Sequence, residues 1–491
     1  MASKPQTTRY EVLKEQEPDW EYTPPKFTIN LSLPPENRYD HVSSSPAMKE
    51  AILKADIDNL FDSIIEMEFL PFIPFGSGPG SAFLAKAVKR TIRGLARIAI
   101  GRVYTDEETA ELKGISRGTG IPMFLLVCFN VLLDLLLGCT SGGVLFDGAK
   151  QQAQAEPSPR GTAKAQDKRR IAHFRTLDWG MNPLRHLVVE LEFVRHEGGP
   201  VIARTVGYFG YVGVLTGVRQ GLSLSLNHRA THDRSTWRKK FSFRWNQLMV
   251  LLGRRPSISS TLRFILLNGH QYPDQTRQNQ DTRKVQRCKA WQFLDLAQPR
   301  IEVVREESEA HELVSVTETG LENTLDMESI ITALPMSPST SAYLIFCTPE
   351  EAYSLEIDNK QIVSVQSSAT FLATTNHDMA DESSPTPTNG NPTATAPTQA
   401  AAICGMEEIL AESMDRKKAA KRAYLTARRS QNSRTGGIGD SRNSGWPGLS
   451  LDKIVGILNY KDIVERDVTH YAVVMDPGSG KILWRRGYWA R

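Results

Sequence analysis

Cys139 is the residue whose type and setting best fit covalent chemistry. It lies in Leu135-Leu136-Leu137-Gly138-Cys139-Thr140-Ser141, where an apolar run gives way to the polar, glycine-rich Ser141-Gly142-Gly143. The pattern predicts a buried helix ending at Gly138 and a strand beginning at Cys139. Scission of the Gly138–Cys139 bond would leave Cys139 with a free α-amine beside its own thiol, a nucleophile and a base in one residue. A free cysteine is otherwise a small buried hydrophobe, so partners decide the matter. The first candidates are in Arg175-Thr176-Leu177-Asp178-Trp179-Gly180, which closes the apolar stretch Ile171-Ala172-His173-Phe174. An arginine beside a cysteine favours the thiolate, and an aspartate can anchor and orient a new α-ammonium. The same pair also fits a surface salt bridge.

The elements that would position these groups divide at Cys139. Before it, helical spacing runs through 47–68 and 83–100, Thr105 with Glu108 forms a capping box opening a third helix, and Phe124 to Leu137 forms a buried fourth. Phe27 to Leu33 alternates as a strand between Pro24-Pro25 and Pro34-Pro35. After it, short Val/Ile/Leu/aromatic stretches at 171–174, 187–194, 201–209, 211–226, 343–347 and 361–366 read as strands. Helical patterns intervene at 241–252, 258–268, 286–297 and 404–428. The result is a layered α+β body. Residues 1–22 read as a loose charged tail, 23–138 as a helical N-terminal portion and 139–491 as the catalytic portion. Polar insertions near 149–168, 379–402 and 430–445 have little to bury.

With 491 residues the chain is long enough for a large core and more than one domain. Its net charge of +4, from 59 basic and 55 acidic side chains, is too small to point to nucleic acid. Cys128, Cys139, Cys288, Cys347 and Cys404 are widely spaced and odd in number, so neither a disulfide framework nor a zinc site is expected; no metal or cofactor is expected at all. The polar start lacks an apolar h-region, which gives the expectation of a cytoplasmic rather than lysosome-like location. The Phe124–Leu137 run is too short to span a bilayer and contains Asn130 and Asp134. The basic run from Arg416 to Arg429 reads as a solvated helix face. The 83–100 segment, with Lys86, Lys89, Arg90, Arg93 and Arg97 among its apolar positions, fits either a core-facing stripe or contact with a membrane surface.

Taken together, Cys139-Thr140-Ser141 and His173-Phe174-Arg175-Thr176-Leu177-Asp178 resemble the choloylglycine-hydrolase superfamily of N-terminal nucleophiles. More narrowly, the chain resembles the acid ceramidase and N-acylethanolamine-hydrolysing acid amidase family. Gly210-Tyr211-Val212-Gly213-Val214-Leu215-Thr216-Gly217 is its most specific stretch. Pro24-Pro25 to Arg38-Tyr39, Ala342-Tyr343-Leu344-Ile345 and Thr374-Thr375-Asn376-His377-Asp378 carry the likeness to about residue 425.

The resemblance implies a four-layer αββα N-terminal-nucleophile sandwich, self-cleaved at Gly138–Cys139 into an α chain of 1–138 and a β chain of 139–491. It implies hydrolysis of fatty N-acyl amides of the ceramide or N-acylethanolamine type. Cys139 would be nucleophile and base, Arg175 and Asp178 its charge partners, Asn376 the oxyanion donor and Arg416 a further cation. Asn227 and His228 would serve substrate binding or maturation. In Asn227-His228-Arg229 a histidine stands where relatives carry a glutamate linked to self-cleavage, and His377 stands where they carry an aromatic; packing and polar filling are the expected role of His377. Phe69, Leu70, Phe72, Ile73 and Phe75 would line the mouth of an acyl groove. Two other functions remain open from sequence: an acyltransferase on the same fold, and a catalytically silent lipid-binding or scaffold protein.

Overall fold

A computed structural model describes residues 20–59, 61–62, 81–132, 138–148, 169–229, 232–233, 235–267, 327–336, 338–382, 406–434, 448–460, 463–465 and 467–490. The acyl-groove positions 69–75, the helical pattern at 286–297 and the insertion at 149–168 lie outside them. The N-terminal part contributes β1 (Glu21–Tyr22), β2 (Lys26–Asn30), and helices α1 (Asp40–Ser43), α2 (Pro46–Ala55), α3 (Ser81–Ala99), α4 (Asp106–Thr119) and α5 (Met123–Leu132). The helical pattern from residue 47 is broken at Asp56, which takes the left-handed conformation (φ 41°), and helix resumes at 57–59 and 61–62. Thr105 caps α4 as the sequence predicts, accepting from the Glu108 N–H at 3.1 Å. The Glu108 carboxylate turns away from the reciprocal backbone bond of a capping box and accepts instead from the hydroxyls of Thr105 and Ser260, each at 2.7 Å.

Strands β3 (Gly138–Asp147), β4 (Arg169–Asp178), β5 (Val188–Val194), β6 (Val201–Tyr208), β7 (Thr216–Arg219) and β8 (Leu222–His228) follow. The apolar stretch at 211–226 is thus not one strand but a loop and a hairpin, turned at Gly221 (φ 87°). Next come α6 (Trp237–Leu251), α7 (Ile258–Leu267), α8 (Met327–Ala333), β9 (Ala342–Cys347), β10 (Ala352–Asp358), β11 (Gln361–Ser368), β12 (Phe371–Thr374), α9 (Met379–Glu382), α10 (Met406–Arg434), α11 (Leu451–Leu458), β13 (Thr469–Asp476) and β14 (Lys481–Tyr488). The strands form two sheets, ordered β1-β14-β13-β4-β3-β12 and β11-β10-β9-β8-β7-β6-β5-β2, antiparallel except where β2 pairs with β5. The fold is α+β, as expected.

Strand periodicity assigns the layers. On β4, Ile171 and Leu177 face the second sheet, packing with residues such as Ile345 and Leu226. Ala172 and Phe174 face the other way, against Ala419, Ala423 and Tyr424 of α10 and Ile454 and Ile457 of α11. On the far side, α7 lies over β6, β7 and β8. The order is helices, sheet, sheet, helices.

Besides the pairing of β1 with β14 and of β2 with β5, side chains join the part before Cys139 to the part after it in two places described here. Asn130, a polar residue in the apolar α5, donates to the Gly210 carbonyl and accepts from the Val212 N–H, at 2.8 and 2.7 Å. This holds the Gly210-Tyr211-Val212-Gly213 loop, whose Gly213 has Ser259 Oγ only 2.6 Å from where a Cβ would stand. The second is a buried charge cluster. Arg263 of α7 grips both carboxylate oxygens of Glu111 on α4, and Arg38 donates to the same carboxylate at 2.8 Å. Glu111 is fully buried. Glu111→Ala is therefore expected to lower stability by about 3–5 kcal/mol, because the buried Arg263 loses its paired carboxylate and Arg38 keeps only the half-exposed Glu107. A thermal melt against wild type measures it.

Candidate active site

Cys139 is the second residue of β3, between β4 and β12, and is completely buried. It stands opposite Leu177, and Ser141 stands opposite Arg175, all on the inter-sheet face. From there Arg175 Nη2 donates to Cys139 Sγ at 3.2 Å and to the Leu226 carbonyl at 2.7 Å. Its Nη1 donates to the Leu215 carbonyl. The guanidinium is thus fixed by the Gly-Tyr-Val-Gly loop and by β8.

The three-residue spacing of Arg175 and Asp178 has a consequence in a strand: the two point to opposite faces. They do not reach the same atom of Cys139. Arg175 holds the sulfur from between the sheets. Asp178 is on the helix side of the sheet, opposite Gly138 in register. A Cβ placed on Gly138 would stand 3.5 Å from Asp178 Cβ and 3.8 Å from Arg416 Nη1, so the Gly138–Cys139 peptide runs beside that ion pair.

Arg416, on α10, donates to Asp178 Oδ2 at 2.7 Å and to Asn376 Oδ1 at 3.1 Å. Thr469 of β13 donates to Asp178 Oδ1 at 2.7 Å. Asn376 Oδ1 also accepts from the Cys139 N–H at 2.8 Å, while its Nδ2 donates to the His228 carbonyl at 2.8 Å. The sequence-predicted Cys139, Arg175, Asp178, Asn376 and Arg416 therefore form one connected constellation. Asn227 accepts from Ser141 Oγ at 2.7 Å and donates to the Thr374 carbonyl at 3.1 Å, tying β3 to the end of β12. His228 contributes its backbone oxygen to Asn376, a group that any residue at that position supplies.

The electrostatics are those of a buried, partly compensated site. Burial pushes the Cys139 thiol above its ordinary value; Arg175 and Arg416 pull it back and Asp178 adds to the rise. Burial likewise raises Asp178, against the pull of Arg416 and the Thr469 hydroxyl. With a raised value the thiol is neutral at neutral pH, and only a base acting on it gives thiolate. In the intact chain Cys139 is accordingly expected to resist iodoacetamide near neutral pH, while a denatured control labels fully. Rapid native labelling at Cys139 by peptide mass mapping would contradict this burial.

Thr469 and Ser413 are site residues that the sequence reading missed. Ser413 lies three residues before Arg416 on α10, on the same helix face, and that spacing was a usable signal. Thr469 gives none, because β13 joins the site only through its pairing with β4. His377 is buried and fills a polar position, as expected. Its Nδ1 lies 2.9 Å from Ser413 Oγ and 3.0 Å from Thr375 Oγ1.

The family model for the beta subunit of N-acylethanolamine-hydrolyzing acid amidase matches residues 22–78. That description labels as beta a segment expected from sequence to belong to an α chain. The chain is 29% identical over 220 residues to the acid ceramidase of Mus musculus and 28% over 221 residues to that of Homo sapiens. Each match covers 42% of this chain and 45% of the relative, so the chain spans about half the length of the curated relatives it matches. Among solved structures, a Caenorhabditis elegans N-acylethanolamine-hydrolyzing acid amidase ortholog aligns with a TM-score of 0.35 at 15% identity, over 69% of this chain and 93% of that one.

Proposed function

We propose that this chain, related in sequence to the acid ceramidase and N-acylethanolamine-hydrolysing acid amidase family, hydrolyses the amide bond of fatty N-acyl lipids of the ceramide or N-acylethanolamine type. The observation carrying the proposal is that one buried residue, Cys139, has its sulfur on Arg175 and its backbone nitrogen on Asn376. Nitrogen and sulfur are thus both held before any bond is cut.

In maturation the Cys139 sulfur attacks the Gly138 carbonyl. The S–C bond forms, the C–N bond breaks, and the thiol proton passes to the departing nitrogen, leaving a thioester and a free amine. Water hydrolyses the thioester. The amine of Cys139 then accepts the thiol proton in each turnover, keeping its hydrogen bond to Asn376 Oδ1. The thiolate attacks the substrate amide carbonyl, the protonated amine leaves, and water releases the fatty acid. Free α-amines titrate at about 7.7–8.0 in model compounds, so this base is available near neutral pH. The Asn376 Nδ2 group lies on the His228 carbonyl, and in this reading that amide is the donor to the tetrahedral oxyanion.

The part of the chain before Gly138 stays bound after cleavage through β1 on β14, β2 on β5, and the Arg38–Glu111–Arg263 cluster. The pieces separate only in denaturant. Incubation with ceramide and with an N-acylethanolamine, followed by mass spectrometry of released fatty acid, tests the activity. Release of neither product would overturn it.

Contact with a lipid surface follows from α3. Phe83 and Ile98 are 78% and 87% exposed, and Leu84 and Leu95 are exposed on the same helix as Lys86, Lys89, Arg90 and Arg97. Ala96 and Ile92 of this helix pack against the core, while these four apolar side chains do not. An exposed apolar set bordered by cations suits an anionic bilayer. The protein is expected to float with phosphatidylserine-containing vesicles, and Phe83→Ser with Ile98→Ser to lower the bound fraction several-fold, by analogy with burial of about 1.5–3 kcal/mol per side chain. Unchanged flotation would exclude α3 as the contact.

A further inference from the structure

We infer that His377 is a positioning residue for Asn376, acting through Ser413, and that its neutral imidazole is required for this. The inference rests on the reading of Asn376 as oxyanion donor. It starts from the hydrogen-bond directions in one buried cluster, in which Thr375 Oγ1 also lies 3.0 Å from His377 Nδ1. Ser413 Oγ lies 2.6 Å from the Asn376 N–H, which can only donate to it. The Thr375 hydroxyl donates to the Ser413 carbonyl at 3.0 Å. The Ser413 hydroxyl hydrogen is then left for His377 Nδ1, at 2.9 Å, which accepts it only when that nitrogen is unprotonated. The second ring nitrogen carries the proton and faces Glu382 Oε1 at 3.3 Å. All of these side chains but Glu382 are buried.

The direction of this relay gives it a function. Asn376 lies two residues beyond the end of β12, and its backbone is held from the helix side by Ser413 while its side chain reaches Cys139, Arg416 and the His228 carbonyl. If His377 takes up a proton at Nδ1, the ring donates toward the Thr375 and Ser413 oxygens. Ser413 Oγ then faces two donors, and its own hydrogen has lost its acceptor. The contact that fixes the Asn376 backbone is the one disturbed. A small displacement of an oxyanion donor is costly to rate without loss of substrate binding.

The charged groups facing the ring are Lys417 of α10 and Asp381 and Glu382 of α9. Burial lowers the proton affinity of His377, Lys417 lowers it further, and Glu382 and Asp381 oppose them; the net direction is down from the ordinary 6.5. With the affinity lowered, the ring is neutral at neutral pH, and the relay fails only as pH falls below 6.5.

The test compares three proteins by kcat and KM across pH with an N-acyl amide substrate. Ser413→Ala is expected to lower kcat about tenfold with KM changed by less than about twofold. His377→Asn places an amide oxygen near the position of Nδ1 and does not titrate. It is expected to keep kcat within about threefold of wild type at neutral pH and to lose the acid limb below pH 6.5. A His377→Asn profile that superposes on wild type, or Ser413→Ala with unchanged kcat, would overturn the inference. Imidazole ¹⁵N chemical shifts of the wild-type protein supply a readout independent of turnover. They are expected to show His377 Nδ1 unprotonated at neutral pH, and a protonated Nδ1 there would overturn the relay. A wild type that hydrolyses no N-acyl amide while showing the expected ring state would sink the functional reading and leave the relay standing.

Discussion

Cys139→Ala is expected to remove both chain scission and turnover, the second by at least about 10⁴-fold, the scale on which loss of a covalent nucleophile is felt elsewhere. The substitution deletes the sulfur and leaves every other partner in place. Arg175 keeps its bonds to the Leu215 and Leu226 carbonyls, and the backbone N–H at 139 still faces Asn376. Folding is therefore expected to survive, which a melt within a few degrees of wild type would show. Cys139→Ser is the informative companion. It retains an attacking atom and a future amine but raises the acidity barrier of the nucleophile, so scission is expected to proceed slowly rather than stop. Turnover by Cys139→Ala comparable to wild type would exclude any role for this sulfur.

Asn376→Ala is expected to reduce kcat by about 10²–10³, the range associated with loss of one oxyanion-hole donor, with little change in KM. Asn376 makes two separable contributions. Its Oδ1 receives the Cys139 N–H and Arg416, and its Nδ2 is the donor. Asn376→Asp separates them, since a carboxylate accepts from Cys139 and Arg416 but donates nothing. If donation to the oxyanion is the catalytic contribution, Asp is as slow as Ala. If orientation of the Cys139 amine is the greater part, Asp recovers activity relative to Ala. Steady-state kinetics of the two variants on one N-acyl substrate distinguish these outcomes.

The site was legible in the sequence to different depths, for reasons that lie in strand geometry. Cys139, Arg175 and Asp178 stand on neighbouring strands, and a Gly-Cys junction after an apolar run with an Arg-x-x-Asp beyond it is a local signal. What spacing did not convey is that residues three apart on a strand face opposite ways, so that one holds the sulfur and the other flanks Gly138. Asn376 and Arg416 were found through family resemblance. Their approach depends on β12 pairing with β3 and on α10 crossing that sheet, contacts spanning 237 and 238 residues that periodicity cannot show.

Composition misjudged the edges of two segments for a related reason. The stretch from 379 begins with α9 because the Met379 N–H is held by Glu356 at 2.9 Å. The stretch from 430 continues α10 to Arg434, and Gln431 in it accepts from the Ser450 N–H and donates to the Gly448 carbonyl. Single long-range hydrogen bonds from polar residues order backbone that amino-acid content alone describes as having nothing to bury.

The most direct measurement is the intact mass and N-terminal sequence of the catalytically active species, taken under denaturing conditions. The expected result is a chain that begins at Cys139 with an unblocked amine, accompanied by the piece ending at Gly138, and an acyl adduct on that Cys139 when turnover is trapped with substrate. Full amide hydrolysis by a chain still joined at 138–139, or an acyl adduct on any other residue, would contradict a nucleophile and base supplied by one residue.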